Sequence, residues 1–350
     1  MSETNSETTR RSFLTKAGAS LGSLPLAALP LASIPLVLAS SAEAKQSVST
    51  VTILPLFKSL PGDVAFKIYS PAAGGKPEFL AESNPSRQMF VGSAIKTFIL
   101  CESLRQADSP NVVQTLKAEQ LTLDASVWSV DSATFNPPNL IGKVSQRTAL
   151  EAMIMHSDNT GTDMSIKHAT PEKVREFIAS IGLKNTQIPD STRSLFGYLL
   201  NAKNYKTFSW DELLVGAATG KLSNPALNKV ESMASTPDDF VSYYSRALQG
   251  EFFKNKETLA EFRRILTIGD AIWLLPLPLG VTSFCKGGSI DLTGFHAICA
   301  PGGMCFDDRW IYFFLAYNWY AEAETDPAGA AAFVSAASRA LQMVKDALAA

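Results

Sequence analysis

Strand-like and helix-like segments are segregated along this chain, and their order restricts the fold more than any other feature. Asp63–Ser70 and Glu78–Ala81, separated by the Pro- and Gly-rich turn Pro71–Pro77, have the pattern of a β-hairpin. Thr148–Met155, Pro171–Ile181 and Pro237–Leu248 each open on a helix-start residue and continue with apolar periodicity. Three strand-like runs follow, Val281–Cys285, Phe295–Ala300 and Arg309–Asn318, rich in aromatic and β-branched residues, and then an alanine-rich amphipathic segment, Pro327–Leu348. A sheet built from both ends of the chain, with a helical block inserted between them, is the expected outcome. The fold class is therefore α/β in the α+β sense: an antiparallel five-stranded sheet flanked by helices, plus an all-α lobe. The α/β lobe takes about 45–92 and 235–350, and the helical lobe about 93–234. Asp131–Leu140, with Pro137-Pro138, reads as a loop.

The N-terminus has the layout of an export signal. A polar stretch containing Arg10-Arg11-Ser12-Phe13-Leu14 and Lys16 precedes an uncharged run, Ala17–Ala39, and Ser41-Ala42-Glu43-Ala44 offers small residues for cleavage. The paired arginines match the twin-arginine type, so residues 1–44 are expected to direct the protein to the bacterial periplasm or the exterior. Pro25, Pro30 and Pro35 argue against a stable spanning helix, and no stable membrane insertion is expected after cleavage.

Removing Arg10, Arg11, Lys16, Glu3, Glu7 and Glu43 with that segment leaves the net charge at −2, the value for the whole chain. A near-neutral surface gives no electrostatic footprint for nucleic acid. The four cysteines, Cys101, Cys285, Cys299 and Cys305, match no zinc spacing; they read as buried small hydrophobes or as one structural bridge. No nucleotide fingerprint is present, and neither cofactor nor metal is expected.

Ser93-Ala94-Ile95-Lys96 places a hydroxyl and an amine on one side of a helical turn, with Ile95, Phe98, Ile99, Cys101 and Leu104 forming the apolar face behind them. Alone, S-x-x-K is weak, since a chain this rich in serine and lysine supplies about one match by chance. Ser157-Asp158-Asn159 and then Lys286-Gly287-Gly288, in that order and the latter at the end of a strand-like run, change the odds. The ordered set resembles that of class A β-lactamases and penicillin-binding proteins, and the resemblance spans nearly the whole chain after residue 44.

That resemblance implies a serine β-lactamase/transpeptidase-like fold and a serine hydrolase working through an acyl-enzyme. Ser93 would be the nucleophile and Lys96 the base that takes its proton. Ser157 would pass a proton to the leaving nitrogen and Asn159 would hold the substrate's side-chain amide. Lys286 would supply positive charge for a substrate carboxylate and for Ser157. Gly288 would leave room for substrate along the strand edge. The backbone N–H groups of Ser93 and Ser289 would form the oxyanion hole, where one donor is worth roughly 3 kcal/mol.

Two departures bear on substrate. The stretch Ile188–Tyr198, where the family carries a glutamate that activates the deacylating water, contains no glutamate, and Asp190 is its one carboxylate. Asp190 is thus a candidate general base or a plain turn aspartate after Pro189. Gly287 stands where the family has threonine or serine, and the next strand, Gly294-Phe295-His296, offers His296 in place of an arginine or as a structural histidine. The expected partner is a small-molecule or peptide acyl substrate, a β-lactam or a cell-wall peptide. The alternatives are a D-alanyl peptidase, an esterase or acyl transferase of the same fold, and a non-catalytic sensor of β-lactams or cell-wall fragments.

Overall fold

The computed structural model describes residues 48–217 and 222–349, so the export segment read at residues 1–44 lies outside the described residues. The chain begins with a short helix α1 (Thr50–Ile53) and the hairpin β1 (Asp63–Ser70) and β2 (Phe79–Ser83). A two-residue strand β3 (Met89–Phe90) and a 3-10 turn over Gly92–Ile95 lead into α2 (Lys96–Gln106). The helical block then runs through α3 (Val112–Ala118), the small ribbon β4 (Gln120–Leu123) and β5 (Gly142–Ser145), α4 (Gln146–Met155), α5 (Asn159–Ala169), α6 (Pro171–Ser180), α7 (Thr192–Leu199) and α8 (Trp210–Ala217). The chain returns through β6 (Ala234–Ser235), α9 (Pro237–Ala247), α10 (Lys256–Leu266) and α11 (Ala271–Leu274). Strands β7 (Thr282–Cys285), β8 (Gly288–Leu292), β9 (Phe295–Phe306) and β10 (Arg309–Trp319) and the helix α12 (Pro327–Ala349) complete it.

The main sheet is antiparallel in the order β2-β1-β10-β9-β7, with β8 also paired to β9. It holds six strands in five positions. Cys285 lies opposite Gly302 and Gly288 opposite Cys299, so β7 and β8 are two halves of one edge, broken at Lys286-Gly287. The expectation of five strands missed the break, because Gly288-Ser-Ile-Asp-Leu292 lacks the β-branched and aromatic density by which the other strands are legible.

Period-2 alternation divides the sheet between two cores. Phe66, Ile68, Ile311, Phe313 and Leu315 face Phe333, Ala337, Leu341 and Val344 of α12. Ala65, Tyr312, Phe314 and Ala316 face the other way, toward Phe98 of α2 and Phe240 and Tyr244 of α9. Each such aliphatic or aromatic side chain contributes on the order of 2 kcal/mol by burial. The aromatic run that ends the chain's strands is thus core, apart from Tyr320, which is exposed. In the segment Ile272–Leu279, Ile272, Leu275 and Leu277 join the α12-side core, whereas Leu279 is exposed.

Helix starts follow the side-chain oxygens that cap them. Ser145, Asp158, Thr170, Ser191 and Thr236 accept N–H groups at the first turns of α4, α5, α6, α7 and α9. All four cysteines are free thiols, which settles the alternative of a bridge against it. Among the described residues no cluster of His, Cys, Asp and Glu could hold a metal ion, and no helix is long and apolar enough to cross a membrane.

Candidate active site

Strand β3 enters the site tied on both sides. Asn318 of β10 accepts the Phe90 N–H at 2.8 Å and donates to the Phe90 carbonyl at 3.0 Å, and the Val91 N–H reaches the Met233 carbonyl at 2.8 Å. Gly92 then takes φ +49°, and a side chain there would meet the Ser289 backbone at 2.8 Å. Ser93 sits in the 3-10 turn, and the α-helix proper starts at Lys96. Ser93 is half-buried, and its hydroxyl takes no hydrogen-bond partner among the described residues.

Strand β8 presses against this turn. A Cβ on Gly288 would fall 2.0 Å from the Val91 carbonyl oxygen and 2.8 Å from the Ser93 nitrogen. Glycine at 288 is therefore required by packing of the strand on the nucleophile turn, a constraint separate from the room for substrate expected of it. The same contact brings the backbones of Ser289 and of the Ser93 turn together, the two sources expected for oxyanion donors.

Lys96 is fully buried, and its amine donates to Asn159 Oδ1 at 2.7 Å, to the Ser157 carbonyl at 2.5 Å and to Ser157 Oγ at 3.2 Å. None of these acceptors is a carboxylate. Burial, and after it the charge of Lys286, lowers its pKa from 10.5 to about 7. Lys286, also fully buried, donates to Ser157 Oγ at 3.1 Å, to the Gly287 carbonyl at 2.7 Å and to Asp270 Oδ2 at 2.6 Å. Burial lowers its pKa as well, with Asp270 opposing the fall.

Ser157 is the hinge of the arrangement. It lies between α4 and α5 at φ +54°, a left-handed conformation that costs a non-glycine residue on the order of 1 kcal/mol. The next residue, Asp158, is buried and accepts N–H groups from Gly161 (2.7 Å), Thr134 (2.9 Å) and Phe135 (3.0 Å), which fixes the turn and the loop beyond Asp131 together. Asn159, besides its bond to Lys96, donates to the Val130 carbonyl at 2.9 Å, and its second amide N–H takes no partner among the described residues.

Two expected residues stand elsewhere. Asp190 is clamped by Arg175 and by Lys206 at 2.7 Å; burial raises its pKa, but the two cations outweigh burial and hold it below its ordinary value. A carboxylate so paired is a structural turn residue, and the general-base role considered for it does not fit. His296 is fully buried, with Nδ1 2.8 Å from Asp291, Nε2 3.3 Å from the Ala321 carbonyl and its ring stacked on Trp319. It cannot replace a substrate-binding arginine. His156, next to Ser157, is exposed at the end of α4.

Sequence reading missed Asp270. Its two oxygens take the Lys286 amine and the Gly287 N–H, the latter at 3.0 Å. It also missed the tie that Asp163 makes: this buried carboxylate accepts from the Thr192 N–H (2.6 Å), the Thr192 hydroxyl (2.8 Å) and the Arg193 N–H (3.1 Å), fixing the start of α7 to α5.

Against known proteins, the β-lactamase enzyme family matches residues 52–271, more than half of the chain, a span that includes Ser93, Lys96, Ser157, Asn159 and Asp270. The chain belongs to the β-lactamase enzyme family. Solved members of the fold superpose over most of both chains. TLA-1 extended-spectrum β-lactamase has a TM-score of 0.62 at 16% identity, covering 86% of this chain and 98% of that one. A class A β-lactamase from Bacteroides cellulosilyticus gives 0.63 at 18%, covering 85% and 96%. A mutant of PBP-A, in an acyl-enzyme complex with penicillin G, gives 0.61 at 17%, covering 87% and 98%. At such identities the likeness shows the fold alone. No curated protein sequence matches the chain.

Proposed function

We propose that this protein is a serine acyl hydrolase in which Ser93 forms an acyl-enzyme on an amide or ester. The observation that carries the reading is the state of Lys96: a buried amine with no carboxylate partner, pKa about 7, one turn from a serine whose hydroxyl is unengaged. Ser93 Oγ attacks the carbonyl carbon and its proton passes to Lys96. The oxyanion collects the Ser93 and Ser289 N–H groups. Ser157, in contact with both lysines, returns the proton to the leaving atom.

Family membership supports β-lactam hydrolysis, and the absence of an unpaired carboxylate in the Ile188–Tyr198 stretch supports slow release of the acyl group, as in a penicillin-binding protein, peptidase or esterase. The residue pattern of 1–44 supports export to the periplasm or beyond. The reading is tested with a fluorophosphonate at pH 8 and peptide mass mapping. Stoichiometric label on Ser93, absent in Lys96→Ala, supports it. Label elsewhere, or equal labelling of Ser93→Ala, refutes it, and a sensor that merely binds would take no label at all.

A further inference from the structure

Lys286 is the cation expected to receive a substrate carboxylate, yet the structure leaves it nothing to give. An ammonium has three N–H donors, and those of Lys286 are met by Asp270 Oδ2 (2.6 Å), the Gly287 carbonyl (2.7 Å) and Ser157 Oγ (3.1 Å). The side chain is fully buried, so no ligand reaches it without breaking one of these bonds. Its charge is balanced by Asp270, whose second oxygen holds the Gly287 N–H. Glycine at 287 supplies no hydroxyl, and a Cβ there would meet Ala271 at 3.2 Å, so the Asp270-Ala271 turn occupies the side from which a threonine would point.

Among the described residues, Lys96 and Lys286 are the only cations bonded to Ser157 or Asn159. His296 is buried between Asp291 and the Ala321 carbonyl, and Arg147 and Arg264 are engaged with Glu151 and Glu261. A carboxylate entering beside Ser157 would lose its hydration and meet a lysine already neutralised by Asp270.

We infer that Asp270 makes this site select esters or amides whose leaving group carries no carboxylate, by consuming both the charge and the donors of Lys286. The inference rests on Ser93 being the nucleophile. In the step concerned, the Ser93 Oγ–acyl bond forms and the bond from the acyl carbon to the leaving oxygen or nitrogen breaks. The serine proton passes through Lys96 and Ser157 to the leaving atom, and water later takes the acyl group and restores the hydroxyl.

The test is a matched pair, the phenyl ester and the 3-carboxyphenyl ester of one N-acylglycine, assayed with the full chain. Selection against the carboxylate predicts kcat/KM at least tenfold higher for the phenyl ester. Asp270→Asn, which frees Lys286, moves the ratio at least tenfold toward the carboxylate, mainly through KM. Equal rates, or preference for the carboxyphenyl ester by the native protein, overturn the inference while leaving the nucleophile intact; that ratio decides even if Asp270→Asn fails to fold. If neither ester is turned over and no adduct forms on Ser93, the hydrolase reading falls and takes this inference with it.

Discussion

The amines of Lys96 and Lys286 converge on one oxygen, with Ser157 Oγ 3.2 Å from the first and 3.1 Å from the second. Two buried ammonium groups so close cannot both keep their protons at neutral pH without cost, and the asymmetry of their surroundings decides which one yields. Lys286 has Asp270; Lys96 has only neutral acceptors. The division of labour between a base and a fixed cation therefore follows from where one aspartate stands.

Acylation should rise with pH through an inflection near 7, as Lys96 loses its proton. Lys286→Met removes the repelling charge and moves the inflection up. Asp270→Asn removes an attraction that favours the proton and moves it down. Stability follows the same group: because folding lowers the Lys96 pKa from 10.5 to about 7, the cost of burying its charge is complete below pH 7 and is relieved as pH climbs toward 10.5. Pre-steady-state acylation rates between pH 5 and 10 check the inflections, and denaturation at the same pH values checks the stability. Shifts of the same sign in both variants would contradict the electrostatic account.

Ser157→Ala should discriminate by leaving group. For an amide or an alkyl ester, whose leaving atom needs a proton, loss of the relay costs on the order of 10² to 10³ in acylation rate. For a nitrophenyl ester, which leaves as a stable anion, the loss should be under tenfold. A uniform loss for both classes would indicate damage to the turn at Ser157.

Gly288→Ala places a methyl group 2.0 Å from the Val91 carbonyl oxygen. The strand must move off the Ser93 turn, with destabilisation of about 2 kcal/mol and loss of the oxyanion geometry. Urea denaturation and fluorophosphonate labelling should fall together. Labelling at the native rate would show that β8 does not contribute to the oxyanion hole.

Asp190→Ala should leave acylation and deacylation within threefold of native, because its carboxylate serves Arg175 and Lys206, partly exposed residues worth about 0–1 kcal/mol as a pair network. A hundredfold fall in acyl release would restore it as the base.

How far the sequence discloses this protein varies with the range of the interaction. Helix starts at Thr170 and Thr236 are legible because a cap and its N–H partner are three residues apart, whereas α4 opens at Gln146, capped by Ser145, two residues before the Thr148 start expected from the sequence. Strands β9 and β10 are legible from aromatic and β-branched density, and Ser93, Lys96, Ser157 and Asn159 from their order along the chain. Asp270 is not legible, since it lies 16 residues from Lys286 across α11 and β7 with no periodic relation to mark it. The constraint on Gly288 is likewise invisible, because its cause is the Val91 carbonyl oxygen on a distant turn. His296 and Asp190 drew attention as unclaimed polar residues in the right stretch of chain; only their partners, Asp291 and Arg175, reveal their structural roles.

The central claim, that Ser93 carries the acyl group, is tested most directly by intact mass during reaction with a penicillin and, separately, with the neutral phenyl ester. The account predicts a single acyl adduct on Ser93 with the ester, formed faster at pH 8 than at pH 6, slower and persistent with the penicillin, and absent from Ser93→Ala with both. Turnover of either compound by Ser93→Ala at the native rate, or an adduct on any other residue, would contradict it.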